Sequence, residues 1–256
     1  MRRKGKVVAI IQARMGSSRL PGKILKPLAG QPVLYHMIER LSFCTSLDEV
    51  VIATTLSELD NAVEDFCHEH DVSCFRGSEK DVLDRYYKAA LQFNADHIVR
   101  ITADCPAIDP FIVDEVVHGY LEGDYDIYCL GGNFPNGLDC TVFSFSALDE
   151  AAQCATLPSE REHVGPYLEK HTEKFKQGYY IKYDNLWHHR WTLDEPEDYM
   201  LLTKIFDHLY QPGTAFTAQN VIDLMDTHPE YPLINSAIIR NEGYLKSLKE
   251  DEAYLE

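Results

Sequence analysis

The sequence predicts an α/β fold, with a mainly parallel sheet and helices on both of its faces. Short β-branched apolar runs alternate with amphipathic helical segments in the amino-terminal part of the chain, which is typical of strands joined by crossover helices. The chain has 256 residues, 45% of them apolar, which is enough for one sizeable core. The polar residues Gln12 and Asp104 follow two of the apolar runs, where open parallel sheets bind their ligands.

The first four predicted strands are separated by segments with helical periodicity. The run VVAII is short, β-branched and followed by turn residues, so it reads as a buried strand. A polar loop over residues 12–30 follows, and the next helix has an apolar face and Pro32 in its first turn. The predicted strands are 7–11, 49–54, 72–75 and 97–102, and the predicted helices are 31–43, 58–70 and 81–93.

The pattern changes after Asp104, where strands and helices no longer alternate strictly. The predicted strands are 125–130, 138–145, 179–183 and 190–193, and the predicted helices are 147–154, 160–171, 197–210 and 218–226. The charged tail from Pro229 onward is weakly patterned and ends in a predicted surface helix. We find neither an internal repeat nor a low-complexity linker, so the sequence favours a single domain over residues 1–256.

The distribution of charge is uneven. The net charge of −17 argues against a general nucleic-acid binder, because binding to a phosphate backbone needs a basic face. The first 26 residues nevertheless carry eight Lys or Arg and no Asp or Glu, which indicates a focused site for a small polyanion. The alternative is a basic amino-terminal tail, which would account for Arg2 to Lys6.

Cysteine usage and hydropathy predict a cytoplasmic protein that does not cross a membrane. The seven cysteines are odd in number and form no CxxC pair, which fits reduced thiols better than a disulfide framework. The apolar runs fall short of the roughly 20 residues needed to span a bilayer, and VVAII is too short for the core of a signal peptide.

The loop after the first strand has the groups needed to bind a triphosphate. It contains the cations Arg14, Arg19 and Lys23, and the hydroxyl donors Ser17 and Ser18. Glycines at 16 and 22 allow backbone N–H groups to approach a ligand closely. The alternative is a long basic surface loop whose glycines only make turns.

Two familiar nucleotide-binding motifs do not fit this loop. A Walker A loop needs four residues between its glycines and a hydroxyl residue after its lysine, whereas here there are five and Ile24 follows Lys23. The dinucleotide motif GxGxxG fails because arginines occupy positions 14 and 19.

Two aspartates are candidates for holding a metal ion. Asp104 closely follows the strand HIVRIT, and Asp194 follows the predicted strand that ends in WTL, so both are expected at the carboxyl edge of the sheet. Magnesium bound to phosphates usually takes one or two protein carboxylates. Alternatively, Asp104 caps a helix near Asp109 or lies in a turn, and Asp194 caps the helix that starts near Pro196.

The chain resembles the SpsF-like (spore-coat polysaccharide) branch of the cytidylyltransferase superfamily, which also contains acylneuraminate and 3-deoxy-manno-octulosonate cytidylyltransferases. The resemblance is carried, in order, by IIQARMGSSRLPGKIL, FRGSEKDVLDRYY, RITADCPAIDP, GLDCTVFSF, SEREHVGPY and RWTLDEPEDY. It implies a Rossmann-like three-layer sandwich of the kind shared with GT-A glycosyltransferases. It also implies CTP as donor, Mg²⁺ as cofactor, pyrophosphate as product and a homodimer.

The resemblance also implies roles for individual residues. Arg14, Lys23 and Asp104 would be catalytic, and Asp104 and Asp194 would hold the metal. The nucleotide-binding positions would be Gln12, Ala13, Arg14, Gly16, Ser17, Arg19, Lys23, Arg85, Thr102 and Asp104, and the acceptor-binding positions Asp139, Glu162 and His163, with His188 and His189 as further candidates. Arg85 has the alternative of pairing with Asp81 or Asp84 on a helix surface, and His163 that of a packed helix histidine.

Two positions depart from the family pattern. Ala103 replaces the usual glycine before the metal aspartate, and Thr141 stands where an acidic residue is expected in many relatives. The expected organisation is a nucleotide-binding part over about 1–120, an acceptor-binding part over about 121–215 and a helical tail over 216–256.

The predicted activity is the transfer of CMP from CTP to a small anionic acceptor: an acidic sugar, a phosphorylated polyol or a phosphonate. One alternative is a glycosyltransferase that uses a nucleotide-sugar, for which Asp124 and Asp126 provide the Asp-x-Asp string. A second alternative is a nucleotide-binding protein without catalytic activity.

Overall fold

The structure, a computed structural model, describes residues 5–255 and is built around a seven-stranded sheet. Its strands are β1 (Val7–Gln12), β4 (Glu49–Thr55), β5 (Ser73–Gly77), β6 (His97–Thr102), β7 (Ile127–Leu130), β8 (Thr141–Ser144) and β9 (Gln177–Tyr180), and a separate small hairpin consists of β2 (Pro27–Leu28) and β3 (Gln31–Pro32). The order in the sheet is β5-β4-β1-β6-β8-β7-β9, and only β8 runs antiparallel to its neighbours.

Helices cover both faces of the sheet. The α-helices are α1 (Val33–Leu41), α2 (Asn61–Glu69), α3 (Val82–Gln92), α4 (Pro110–Gly123), α5 (Phe145–Cys154), α6 (Pro158–His163), α7 (Pro166–Lys170), α8 (Pro196–Leu209), α9 (Ala218–Thr227) and α10 (Glu242–Leu255). One core contains residues of α1, α2, α4, α8 and α9, and the other contains residues of α3, α5 and α7. The predicted α/β sandwich with a mainly parallel sheet is confirmed. Arg2, Arg3 and Lys4 of the predicted basic tail lie outside the described residues.

The predicted strand at 190–193 is wrong. Only an isolated bridge between Asn136 and Arg190 is present there. Two loops hold the segment instead: Trp191 N donates to Asn136 O (2.7 Å), and Leu193 N donates to Asp104 O (2.7 Å). Trp191 and Leu193 are both fully buried, so their alternation with polar residues resembles a strand pattern. The alternation therefore reflects burial beneath the site rather than pairing in the sheet.

Two helical regions also differ from the prediction. The predicted helix at 160–171 is two helices, α6 and α7, because Val164 has φ +70° and Pro166 begins a new helix. The sequence predicts α4 only through the alternative in which Asp104 caps a helix near Asp109. Asp109 caps it instead, accepting from Phe111 N and Ile112 N. Its apolar residues lie on several sides, which weakens the helical periodicity on which the prediction depends.

The carboxyl-terminal helix α10 packs against α6. Ser159 N donates to Asp251 Oδ1 (2.8 Å), and Asp251 and Ser247 are buried although the helix as a whole is mostly polar. The predicted surface helix is thus fixed to the helix that carries Glu162 and His163. In the described part of the chain, each helix is too short or too polar to span a membrane.

Candidate active site

A cavity of about 500 Å³ opens at the carboxyl edge of β1 and β6. Its wall includes the amino-terminal loop, the ends of both strands, helix α6 and the segment that leads into α10. The predicted site residues that line it are Gln12, Arg14, Gly16, Ser17, Arg19, Lys23, Thr102, Asp104, Asp139, Glu162, His163 and Asp194.

Two predicted nucleotide-binding residues lie outside this lining. Ala13 is buried, and its N–H donates to Ala53 O. Arg85 is 1% exposed and donates to the carbonyl oxygen of Ser78, so it is not a helix-surface residue either. The two aspartates proposed as its partners pair elsewhere: Asp81 with Arg161 and Asp84 with Lys88.

The loop is folded back on itself and held by a buried carboxylate. Gly22 has φ +66°, which glycine adopts without strain, and its N–H donates to Met15 O. Met15 N in turn donates to Asp60 Oδ1 at 2.7 Å, while Asp60 Oδ2 accepts from the hydroxyl of Thr55. Asp60 therefore ties the loop to the end of the neighbouring strand β4.

We expect Asp60→Ala to lower the free energy of unfolding by about 1–3 kcal/mol, because the N–H of Met15 and the hydroxyl of Thr55 would lose their shared acceptor. Urea unfolding measures this change in stability. We also expect the KM for nucleotide to rise, because the loop loses its anchor. Asp65→Ala, at an exposed position of α2, is the matched control. Unchanged stability and KM in the Asp60 variant would show that the loop is fixed by other contacts.

Lys23 bridges the two candidate metal aspartates. Its ammonium Nζ lies 2.9 Å from Asp104 Oδ2 and 2.9 Å from Asp194 Oδ1. Burial raises the pKa of Asp104, but the charge of Lys23 and the surrounding hydrogen bonds outweigh it and lower that pKa to about 2. Burial likewise opposes the charge of Lys23, yet the two carboxylates raise its pKa. Two carboxyl groups and one ammonium therefore meet at one point of the cavity wall.

The backbone fixes both aspartates in place without using them as helix caps. Asp104 O accepts from Leu193 N and from the hydroxyl of Thr192 (3.1 Å), which joins the β6 turn to the segment that carries Asp194. The residue before α8 is Glu195, and Asp198 of that helix accepts from Asp194 N (2.9 Å). Since Asp109 caps α4 and Glu195 is the N-cap residue of α8, the cap alternatives for Asp104 and Asp194 are wrong. The turn alternative for Asp104 is confirmed, because it lies in the turn in which Cys105 N donates to Thr102 O.

Three further cations of the site, Arg14, Arg19 and Arg190, are also paired with carboxylates. Arg14 lies 3.7 Å from Glu162, and Arg19 contacts Asp194 (3.5 Å), Glu195 (3.1 Å) and Glu242 (2.5 Å). Arg190 binds Asp194 and Asp198, each at 2.8 Å. A polyanionic ligand can replace these carboxylates on Arg14 and Arg19, which expose 43% and 38% of their side chains.

His163 lines the cavity and is also packed, so the packed-histidine interpretation holds and its contact with the acceptor stays a prediction. Its Nε2 lies 3.0 Å from the hydroxyl of Ser247, and its ring meets that of Tyr244 edge-on. Burial, and next the charge of Arg100, lowers its pKa to about 4, so the ring is neutral at pH 7.

The depressed pKa of His163 predicts a pH dependence of stability. Between pH 6.5, the ordinary pKa of histidine, and about pH 4, the unfolded chain binds a proton at His163 that the folded protein does not. The stabilisation of the folded state by neutral His163 is therefore complete above pH 6.5 and is lost as the pH falls toward 4. We expect His163→Gln to flatten the fall in unfolding free energy over that range, measured by urea unfolding at several pH values. His68→Gln, at an exposed position, should leave the slope unchanged. Equal slopes in all three proteins would contradict the assignment.

The remaining candidates lie away from the cavity lining. The rings of His188 and His189 contact each other at 4.2 Å between centroids, with their planes tilted by 36°, and neither residue lines the cavity. Asp126 accepts from Lys176 N at the amino end of β7, and Asp124 ends α4 just before it. The Asp-x-Asp string is therefore at the edge of the sheet opposite the cavity.

Some functional candidates were missed from the sequence. Arg100 and Arg190 line the cavity, and so do residues 239 and 241–244, which lead into and begin α10. The sequence signal for Arg100 is its own charge, which lies inside the otherwise apolar run HIVRIT. The sequence gives no comparable signal for the carboxyl-terminal segment, because its place over the cavity depends on tertiary packing.

Comparison with known proteins agrees with this geometry. Residues 8–223 match the cytidylyltransferase family model. The spore coat polysaccharide biosynthesis protein SpsF of Bacillus subtilis is 30% identical over 88% of this chain and 95% of its own length.

Solved structures give the same result. A cytidylyltransferase from Leptospira borgpetersenii superposes with a TM-score of 0.85 at 37% identity, over 92% of this chain and 100% of that one. A CMP:2-keto-3-deoxy-manno-octonic acid synthetase complexed with CTP shares the fold, with a TM-score of 0.59 at 18% identity over 79% and 98% of the two chains. With its family match, its relatives and its fold in agreement, the chain belongs to the cytidylyltransferase family and is a nucleotidyltransferase.

Proposed function

We propose that this cytidylyltransferase transfers CMP from CTP to a small anionic acceptor, with Mg²⁺ as cofactor and pyrophosphate as the second product. The observation that carries the proposal is the contact of Lys23 with both Asp104 and Asp194, inside a cavity that Arg14 and Arg19 also line. The acceptor is an acidic sugar, a phosphorylated polyol or a phosphonate.

The two aspartates fit a divalent ion. Their carboxylate oxygens already surround one cationic centre, the Lys23 ammonium, and carboxylate oxygens are the hard ligands that Mg²⁺ prefers. Asp104 and Asp194 would hold the ion, with phosphate oxygens and water completing its coordination. When bound, the ion neutralises phosphate charge and polarises the phosphate oxygens.

The remaining chemistry belongs to the protein's own cations. An acceptor oxygen attacks the α-phosphorus of CTP, a P–O bond forms, and the bond to the bridging oxygen breaks so that pyrophosphate leaves with the electron pair. Arg14, Arg19 and Lys23 neutralise the charge that develops on the leaving group. A phosphate, phosphonate or carboxylate acceptor is ionised at neutral pH and needs no general base, whereas a sugar hydroxyl must lose a proton.

The test is pyrophosphate release in the presence of Mg²⁺. CTP should support release with at least one acceptor from a panel of acidic sugars, phosphorylated polyols and phosphonates, ATP, GTP and UTP should support less, and EDTA should abolish it. Hydrolysis of a nucleotide-sugar without pyrophosphate release from CTP would instead identify a glycosyltransferase. A rise in melting temperature with CTP, without release for any acceptor, would indicate a nucleotide-binding protein without catalytic activity.

A further inference from the structure

Arg100 lies on the floor of the cavity, set back from the edge of the sheet. Its strand neighbours Val99 and Ile101 pack into the core with α1 and α4, so Arg100 and Thr102 face the other side of the sheet. Arg100 precedes Thr102 by two positions, which places it about 6.6 Å further along the strand from the carboxyl edge. In the sheet it pairs directly with Thr141 of β8.

Arg100 differs from the other basic residues of the cavity. Within residues 5–255, each of the others has a carboxylate within 4 Å, and Arg100 has none; the others are Arg14, Arg19, Lys23 and Arg190. The side chain of Arg100 makes one long hydrogen bond, from Nη2 to Gln12 Oε1 at 3.5 Å. Its Nε is buried without a hydrogen-bond partner among the described residues.

The surroundings of Arg100 leave its charge uncompensated at short range. Burial raises the pKa values of Glu162 and Glu169, and the charge of Arg100 partly offsets this, yet neither carboxylate forms an ion pair with it. Glu162 pairs with Arg14 instead, and His163 is neutral at pH 7. A partly buried guanidinium with free donors costs desolvation energy unless an anion binds it.

We propose that Arg100 binds the anionic group of the acceptor, a carboxylate, phosphate or phosphonate, beside the hydroxyl of Thr141. This assignment rests on the proposed function, because it concerns the second substrate of the transfer. The planar guanidinium suits bidentate binding of any of these groups. The triphosphate has its own cations at the strand ends, whereas Arg100 lies deeper and near Glu162 and His163, at the end of the cavity where an acceptor is expected.

Binding to nucleotide-loaded protein tests the assignment without requiring turnover. The protein is saturated with Mg²⁺ and α,β-methylene-CTP, a non-reacting analogue, so that the triphosphate cations are occupied. N-acetylneuraminate, glycerol 3-phosphate and 2-aminoethylphosphonate are then titrated calorimetrically as three probe anions. We expect at least one to bind, Arg100→Gln to weaken that binding at least tenfold with nucleotide affinity within twofold, and Arg100→Lys to give an intermediate value.

A second pair of variants tests the same site from the opposite strand. Thr141→Glu places a carboxylate directly across from Arg100, where side chains of paired residues lie close enough to interact. We expect it to weaken the probe anion at least tenfold, and the matched Thr141→Gln, which has similar size but no charge, to weaken it no more than threefold. Melting temperatures check that all four variants remain folded.

The outcomes separate this inference from the proposed function. Failure of every probe to bind the nucleotide-loaded protein, or equal binding to wild type and Arg100→Gln, overturns the role of Arg100. Failure of the CTP analogue to bind counts against the proposed function instead. In that case, binding of a probe anion to wild type but not to Arg100→Gln would still support the anion site.

Discussion

Asp104→Asn is expected to lower kcat for pyrophosphate release from CTP by about 10²–10³-fold, the range typical for loss of one preorganised electrostatic group. The amide keeps the size of the side chain but removes the negative charge that faces Lys23 and, in our proposal, the metal ion. The KM for CTP should change less than kcat, because the loop cations Arg14 and Arg19 remain. Steady-state kinetics with a productive acceptor measures both constants.

Matched variants make the Asp104 result specific. Asp223→Asn removes an exposed charge on α9 and should leave kcat unchanged. Excess Mg²⁺ should not restore Asp104→Asn to the wild-type rate, because the oxygen donor itself has been weakened. A rate within threefold of wild type would remove Asp104 from the catalytic machinery.

Lys23→Gln is expected to lower kcat/KM for CTP by about 10²-fold, which corresponds to about 2.7 kcal/mol of transition-state stabilisation. The change removes the only ammonium that the described structure brings into contact with both Asp104 and Asp194, and leaves the two carboxylates facing each other. Their repulsion should make binding of Mg²⁺ to the nucleotide-free protein tighter, because the ion then has no competing cation. Steady-state kinetics and calorimetry measure these two effects.

Lys26→Gln is the control for Lys23. Lys26 belongs to the same loop, but its ammonium lies over the ring of Tyr199, at 5.3 Å from the centroid, and not in the cavity lining. Its kinetics should remain within twofold of wild type. An equal loss of kcat/KM in both lysine variants would mean that the net charge of the loop matters rather than the contact of Lys23 with the two aspartates.

Most of the sheet could be predicted from local sequence because its strands are short, apolar and followed by turn residues. The fold thereby brings Lys23 and Asp104, 81 positions apart in the chain, into contact at one edge. The same local reasoning failed at 190–193, where burial beneath the site produces an apolar alternation without sheet pairing. It also merged α6 and α7, although Pro166 marks the break.

Residues whose roles depend on distant partners could not be found this way. Asp60 looks like an ordinary acidic residue before a helix, and its function as the anchor of the loop follows only from the pairing of β1 with β4. Arg100 carried a signal, a charge inside an apolar strand, but its lack of an ion pair is visible only in three dimensions. Its pairing with Thr141 also depends on β8 running antiparallel to β6.

The position of α10 has a consequence for how the shape of the cavity can differ between relatives. The match to the family model ends at residue 223 of this chain, yet the segment that leads into α10 lines the cavity beside α6. Sequence change in this segment can therefore reshape one wall of the cavity while the strands β1 and β6 stay unchanged. For the same reason, loss of α10 would change both the shape of the cavity and the ion pairs of Arg19, because Glu242 of this helix contacts that arginine.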